Sequence, residues 1–532
     1  MGTRPRSAPD VGWMLDVVAR EHPARVALVD AETGDRRTYG QLRDRTHQAA
    51  NALWGLGVRP GQTFGLLAHN CVEYLEVVFA AARIGATVVL VNRRLTVREM
   101  VHELHASDVT GLLYSWKYAK AAAEISALTA EKLWWCQTGA DVSASEGREV
   151  HSYGALLAQS VTTFDHPSEA DLADAGLVII YTSGTTGKPK GAVLTQRNVL
   201  AAAGSNQMFY SWYAQRLQPR LRQLVMVGLN HIAGLFAVTM PTLASGGEVV
   251  LLDDFDPVKT LRTIDAHRPN FIFGIGSLWD EILAQDSTMY DLSSVELVIT
   301  CVTYQKSENL RRLRDTFGAE LFMTFGQTET TTFTIATRAT DDLLERPRTV
   351  GKPFGYVEIR LVRQDGTPAR AGEEGELHYR GPSVFKGYYG ESEATAEAFA
   401  EDGWFRSGDL MRLDEDGYLY FVDRTKDVIK SGGLNVYAFE VEQVIEQLPT
   451  VAATAVVGLP DEKWGEAVTA FVVPTPGSDL TAEAVVDWCR ERLAHYKVPK
   501  AVHFIDAIPV NTLGKKMKRV LVQEHGAPAS QG

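Results

Sequence analysis

The sequence predicts an α/β fold: a large N-terminal domain of parallel α/β layers plus a small β subdomain, followed by a small mobile α+β C-terminal domain. Three observations predict it. Helical patterns alternate with short β-rich runs up to about residue 350, the mark of parallel α/β layers. Short alternating strands separated by Asp-Gly turns then take over, which reads as antiparallel β structure. Beyond residue 424 a compact helix–strand–strand–helix pattern follows. The expected domains are therefore 1–423, with 350–423 as the β-rich subdomain, and 424–532, with the boundary near 423–427.

The elements justify this in order. "TYGQLRDRTHQAANALWGLGV" (38–58) has apolar residues at helical spacing and stops at glycine. "TFGLLAH" (63–69) is a strand, "VEYLEVVFAAARIGA" (72–86) a helix and "TVVLVN" (87–92) a strand again. "EVVLLDD" (248–254), "FIFGI" (271–275) and "VELVIT" (295–300) continue the strand series. "FDPVKTLRTIDAHR" (255–268) supplies a helix with Asp256 as its cap and Pro257 in its first turn. "YVEIRLV", "GELHYRG" and "GYLYFVD" form the β subdomain, with turns at Asp365-Gly366, Asp402-Gly403 and Asp416-Gly417. In the last domain "FEVEQVIEQL" and "AEAVVDWCRERL" are helices, and "AATAVVGL" and "EAVTAFVV" are strands.

Composition narrows the class. The 532 residues are 45% hydrophobic and 22% charged, ordinary for a globular protein. A net charge of −13 argues against a general nucleic-acid grip, which needs a basic surface. Cys71, Cys136, Cys301 and Cys489 form no C-x-x-C pair and no disulfide framework, so free thiols in a reducing compartment are expected. The N-terminus lacks the apolar core of a signal peptide. The most apolar long stretch, 77–91, is interrupted by Arg83 and Gly85 and is too short to span a bilayer. A cytoplasmic protein that binds neither membrane nor nucleic acid is expected.

"YTSGTTGKPKG" (181–191) follows the apolar run "GLVII" and carries phosphate-binding chemistry. Its glycines let backbone N–H groups approach an anion, its hydroxyls donate, and Lys188 or Lys190 supplies charge. It is not a Walker A loop, because only Thr185 and Thr186 separate Gly184 from Gly187, and Pro189 follows Lys188. "GIGSLW" (274–279) fails the dinucleotide fingerprint at its last glycine. Alone, the hydroxyl-rich glycine string also fits an ordinary polar turn.

The full string closely resembles the phosphate loop of the adenylate-forming superfamily: acyl- and aryl-CoA ligases, nonribosomal adenylation domains and luciferases. The resemblance recurs in order along almost the whole chain. "FGQTET" (325–330) is similar to the family's aromatic-Gly-x-Thr-Glu motif, "GWFRSGDL" (403–410) to its ribose motif, and "GELHYRGPSVFKGYY" (375–389) to its β subdomain. "DRTKDVIKSGGLNVYAFEVE" (423–442) resembles the hinge and thioesterification loop, and "PVNTLGKKMKR" (509–519) the C-terminal catalytic loop. Singly, Asp409 fits a turn residue and Lys515 a solvated basic face; five ordered matches make those readings jointly implausible.

The resemblance implies two half-reactions using ATP and Mg²⁺, and CoA as co-substrate. An acid attacks the α-phosphorus of ATP, and a thiol then displaces AMP. Lys515 would bridge the acid oxygen and the α-phosphate, Glu329 would hold Mg²⁺, and Thr328 would lie by the α-phosphate. Thr182, Ser183, Gly184, Thr185, Thr186, Gly187 and Lys190 would grip ATP's outer phosphates. Phe325 and Gly326 would meet adenine, Phe325 standing where tyrosine is commoner. Asp409 would accept from the ribose hydroxyls, which suits a carboxylate's paired oxygens, and Arg424 matches the ribose-phosphate arginine. Lys426 matches the hinge, and Lys430, Gly432 and Gly433 the CoA tunnel; Ala438 stands where proline is usual. In the basic cluster "GKKMKR", one buried catalytic lysine with solvated neighbours is expected.

"GLNHIAGLF" (228–236) resembles the motif lining the acid pocket, with His231 at the CoA gate; a core histidine is the competing reading. Thr324, Cys301, Val302, Thr303 and Tyr304 complete the expected pocket. Here the match breaks: "CVTYQ" (301–305) replaces a Gly-Gly-Ala-Pro-Leu-like loop. Tyr304 and Gln305 would narrow the site, so the partner expected is a small or aromatic acid. The same departure leaves room for a non-standard acid or acceptor, as in nitrite activation for diazotisation or amide ligation. A noncatalytic nucleotide-binding protein is the reading outside the class, and retention of Lys515, Glu329, Asp409 and Arg424 argues against it.

Overall fold

The protein is described by a computed structural model covering residues 10–129, 133–139, 149–165, 172–183, 189–211, 220–301, 307–338, 343, 346, 348–510 and 515–526. The chain divides into two compact units: Met1–Ile359 with Tyr379–Phe405, and Arg360–His378 with Arg406–Gly532.

The first unit holds two largely parallel sheets. In one, the strand order runs Thr349–Pro353, Phe333–Ala336, Glu320–Gly326, Leu297–Cys301, Phe271–Ile275, Arg222–Val225, Glu248–Leu251, Val26–Asp30, Arg36–Thr38. Its interior pairs are parallel and its outer pairs antiparallel. In the other, the order is Gly387–Tyr388, Pro189–Thr195, Gly176–Ser183, Thr87–Leu90, Thr63–Leu67, Val109–Ser115, Trp134–Thr138, Val150–Ser152. Interior strands such as Glu248–Leu251 and Leu297–Cys301 are buried at every position. Strands covered on both faces read as unbroken apolar runs, which is the texture the sequence shows.

Local signals place the helices. Asp256 caps Pro257–His267 by accepting from the Lys259 N–H, as expected. Thr38 and Gln41 close a capping box on Tyr39–Gly55. The apolar stretch around 77–91 resolves into helix Val72–Ile84 and strand Thr87–Leu90. That helix packs against strands of both sheets, Val26–Asp30 in one and Thr87–Leu90 and Gly176–Ser183 in the other. A helix covered all round is apolar all round. Its buried charges are paired: Arg83 Nη2 lies 2.6 Å from Asp16, and Glu76 accepts from Arg45 Nε at 2.9 Å and Tyr153 at 3.1 Å. No helix among the described residues is long and apolar enough to cross a membrane.

In the second unit, strands Phe405–Leu413 and Leu419–Arg424 form an antiparallel pair through the expected Asp416-Gly417 turn, where Gly417 has φ 82°. The following sheet has the order Leu434–Tyr437, Val428–Ser431, Gly465–Pro474, Val451–Asp461, and Ala501–Phe504 pairs parallel to Gly465–Pro474. Helices Ala438–Ile445 and Ala482–Arg490 share one apolar core with these strands, including Ile429, Val441, Val456 and Val468. Residues 423–427 lie within the second unit. The Phe439 N–H donates to Asp423 Oδ2 at 3.2 Å, and the Phe421 and Phe439 rings meet at 5.2 Å, so the strand before that point is tied to the helix after it. What lies at 423–427 is a single turn, Thr425–Asp427.

Candidate active site

The flanks of the phosphate loop form a hairpin. Strands Gly176–Ser183 and Pro189–Thr195 pair with Tyr181 opposite Gly191 and Thr182 opposite Lys190. Gly184, Thr185, Thr186 and Gly187, with Lys188, lie outside the described residues. Tyr181 fixes the hairpin's outer end: its hydroxyl donates to the Glu103 carbonyl at 3.1 Å and lies 2.8 Å from Ser107 Oγ. Segment 384–389 lies along the second strand, with the Lys386 and Tyr389 N–H groups donating to the carbonyls of Val193 and Gly191.

Tyr388, on this segment, joins two expected site residues. Its hydroxyl donates to Glu329 Oε1 at 2.9 Å, and Lys190 Nζ stands 5.3 Å from its ring centroid. Burial and the Glu329 charge push its own pKa up. In the sequence Tyr388 is one residue of the β-subdomain motif, and the doubled tyrosine after Gly387 is the local signal of its role. Glu329 sits in the short turn Thr328–Thr330 and its carbonyl accepts from the Phe385 N–H. Strand Glu320–Gly326 delivers Thr324, Phe325 and Gly326 to the same end. A Cβ on Gly326 would lie 2.4 Å from the Thr332 carbonyl oxygen, so the backbones meet too closely for any side chain. Thr331 carries φ 63°, a strained value for a β-branched residue, and its hydroxyl is held by the Ser383 carbonyl at 2.7 Å.

Thr324 and Cys301 are cross-strand neighbours, both buried. Burial pushes the Cys301 thiol pKa well up, so it is a small apolar group here. It belongs to a cluster with Phe209, Tyr210, Val227, Phe273 and Phe322. Val302, Thr303, Tyr304 and Gln305 lie outside the described residues. His231 is half-buried and opens the turn into a π-helical stretch, Ala233–Thr239. Such stretches occur often at functional sites. Burial and the Arg94 and Arg93 charges push its pKa down to about 4, so it is neutral at pH 7. Asn70 ties its loop down, donating to the carbonyls of Val227 and Leu252 and accepting from the Leu229 N–H. Nothing in the local sequence around 70 signals this contact across more than 150 residues.

The second unit gathers the remaining residues. Asp409 and Arg424 are cross-strand partners, with Arg424 Nε 2.8 Å from Asp409 Oδ1. Asp409 is fully buried, and among the described residues neither carboxylate oxygen accepts a well-aligned hydrogen bond. Burial raises its pKa, against Arg424 and Lys515. A carboxylate held dry with open acceptor positions is a costly arrangement that a vicinal diol would satisfy. Lys515 shares this neighbourhood. Desolvation of its ammonium, and then repulsion by Arg424, push its pKa down to about 8, with Asp409 opposing. The side chain as a whole is exposed.

One expectation is overturned. Lys515 is not a buried lysine among solvated neighbours: Lys516 and Lys518 are the partly buried ones, each with its ammonium 2.8 Å from the buried carboxylate of Glu442. Lys516 sits in a bridge with Val510 and Lys518 begins helix Lys518–His525, and from both places the ammonium reaches Glu442. Farther along, Lys426 sits in the turn Thr425–Asp427. Lys430 Nζ donates to Asn435 Oδ1 at 2.6 Å. Gly432 and Gly433 both take left-handed φ, 59° and 79°, and a Cβ on Gly432 would press the Trp464 ring at 3.1 Å. No group of three or more His, Cys, Asp or Glu side chains placed to hold a metal occurs among the described residues. Mg²⁺ commonly takes one or two carboxylates plus substrate phosphates, so the single carboxylate of Glu329 fits that donor set.

Comparisons with known proteins identify the family. The model for "AMP-binding enzyme" matches residues 15–389, and that for "AMP-binding enzyme C-terminal domain" matches residues 440–515. A feruloyl-CoA synthase from an Amycolatopsis species is 35% identical, over 91% of this chain and 93% of the relative. The long-chain-fatty-acid–CoA ligase FadD13 of Mycobacterium tuberculosis is 31% identical, over 97% and 99%. The crystal structure of the anthranilate CoA ligase AuaEII with anthranoyl-AMP superposes with TM-score 0.84 at 25% identity, covering 97% of each chain.

Proposed function

For a chain that belongs to the AMP-binding enzyme family, and so is an ATP-dependent, AMP-forming ligase, we propose that it joins a small or aromatic carboxylic acid to CoA. A carboxylate oxygen attacks the α-phosphorus of ATP and pyrophosphate leaves. The CoA sulfur then attacks the acyl carbon, the thiol proton passes to solvent, and AMP leaves.

The observation that carries this reading is the Asp409–Arg424–Lys515 group: a dry carboxylate with unused acceptor positions, beside a guanidinium and a mobile-stemmed ammonium. Asp409 binds the ribose hydroxyls, and Arg424 opposes the burial that disfavours the charged carboxylate and reaches the ribose–phosphate link. Lys515 binds the attacking carboxylate and the α-phosphate together, bringing two anions to reacting distance in a fixed orientation. Thr328 and Lys190 contact the phosphates. When bound, Mg²⁺ on Glu329 supplies charge neutralisation at those phosphates, and Tyr388 orients the carboxylate. His231, neutral, guards thiol entry. For the second step Lys515 withdraws by rotation at Lys426, and Gly432 and Gly433 line the CoA path.

The relatives act on acids of different size, so likeness alone does not choose the acid. The feruloyl-CoA synthase and anthranilate ligase likenesses support an aromatic acid. A panel of aromatic, short and long acids, read for both AMP release and CoA consumption, tests the proposal. AMP without CoA use would replace CoA by another acceptor; a preference for long chains would overturn the choice of acid. Lys515→Ala is expected to abolish adenylate formation while largely sparing reaction of a supplied adenylate. Equal loss in both steps would contradict the role given to Lys515.

A further inference from the structure

Segment 515–517 leads into helix Lys518–His525, and Lys516 in it forms an isolated antiparallel bridge. Val510 bridges Lys516, and the Met517 N–H donates to the Pro509 carbonyl at 2.7 Å, fixing the strand-like path. Exposure alternates along 515–518: Lys515 and Met517 are exposed, while Lys516, at the bridge, and Lys518, at the helix start, are partly buried. Both inward ammonium groups converge on Glu442. Lys516 Nζ lies 2.8 Å from Oε2, and Lys518 Nζ 2.8 Å from Oε1. Glu442 Oε1 also accepts from the Val456 N–H at 2.9 Å, and Glu446 takes Lys516 Nζ at 3.0 Å. The Glu442 side chain is 4% exposed, so these are bonds in a dry place. Burial alone would push its pKa up; Lys518 and Lys516 overcome that and hold the carboxyl below its usual range.

Glu442 lies on helix Ala438–Ile445, which is itself anchored to Asp423, the residue before Arg424. The clamp thus links the strand bearing Arg424 and the loop bearing Lys515 through one short helix. We propose that Glu442 is a positioning residue for the first half-reaction: by seizing Lys516 and Lys518 it fixes the phase of the alternation and so aims Lys515 at the Asp409–Arg424 group. Loss of the clamp lets the strand slip or twist, and Lys515 loses its direction without losing its charge. The inference rests on the role proposed above for Lys515.

The test separates the two half-reactions in Glu442→Gln, which keeps side-chain shape. Pyrophosphate release with acid and ATP falls roughly 100-fold, the cost of a misplacement of about an ångström. Thioester formation from chemically supplied acyl-adenylate and CoA stays near the native rate, which also shows that the chain is folded. Lys516→Gln, which leaves the Lys518 pair intact, gives a smaller loss confined to the same half-reaction. Parallel loss in both half-reactions, or no loss in pyrophosphate release, overturns the clamp. Lys515→Ala runs alongside: if it leaves pyrophosphate release intact, the premise about Lys515 has failed and the inference falls with it. If Lys515→Ala is dead but Glu442→Gln is native, the clamp alone is wrong.

Discussion

Asp409→Asn offers the sharpest test of the nucleotide site. The substitution keeps size and burial but removes the charge and turns one acceptor into a donor. Hydrogen bonds to a charged group contribute about 1.5–3 kcal/mol each and neutral ones about 0.5–1.5 kcal/mol. Two ribose hydroxyls on Asp409 would thus lose together about 2–3 kcal/mol, or roughly 30- to 150-fold in AMP affinity at about 1.4 kcal/mol per tenfold. Without nucleotide the account differs. The buried carboxylate is an expense in the empty protein, and the Arg424 side chain, 27% exposed, can turn to water when its partner is neutralised. Thermal stability without ligand should therefore change little. At an AMP concentration of about 100 times the native Kd, ligand stabilisation should drop from about 2.7 kcal/mol to about 0.3–0.9 kcal/mol. Calorimetric titration of AMP and melting curves with and without AMP measure both quantities. An unchanged AMP affinity would refute the ribose assignment. A fall in Tm that is the same with and without AMP would show that Asp409 is only structural.

Three further outcomes follow from the site's electrostatics. With the Lys515 pKa lowered to about 8, kcat/KM for pyrophosphate release should decline as pH rises through about 8, and Lys515→Arg should remove that limb of the profile; an unchanged profile would be evidence against Lys515 as the titrating group. Stability moves the other way: the unfolded chain holds this proton to higher pH, so the group's contribution improves between about 8 and the ordinary lysine value, seen in melts across that range. Tyr388→Phe removes the hydroxyl that orients Glu329, and the Mg²⁺ concentration for half-maximal pyrophosphate release should rise about tenfold, the loss of one charge-assisted bond. An unchanged Mg²⁺ requirement would disconnect the tyrosine from that carboxylate.

Much of the fold was legible because its signals are local. Asp256 with Pro257 announces a helix start within four residues, and Asp416-Gly417 announces a turn within two. The site residues were legible as ordered motifs, and the structure brings Asp409, Arg424 and Lys515 into one neighbourhood. What the sequence hid depends on partners far along the chain. Asn70 acts on a loop more than 150 residues away, Tyr388 on Glu329 59 residues away, and Glu442 on Lys516 74 residues away. The basic run "GKKMKR" misled for the same reason, since composition cannot say which of four cations faces a buried carboxylate. The apolar stretch at 77–91 still divides into helix and strand in the sequence, because Gly85 marks the helix end and β-branched residues follow it, although both elements there are buried.

That covered helix, Val72–Ile84, also constrains how the chain is made. One of the strands that shields it, Gly176–Ser183, ends 99 residues after Ile84. At the usual pace of synthesis of 5–20 residues per second, about 5–20 s pass before the shield exists. For that interval an apolar rod hangs unprotected from the ribosome, and substitutions along it should lower yield through capture by chaperones or aggregates even where the finished enzyme would tolerate them.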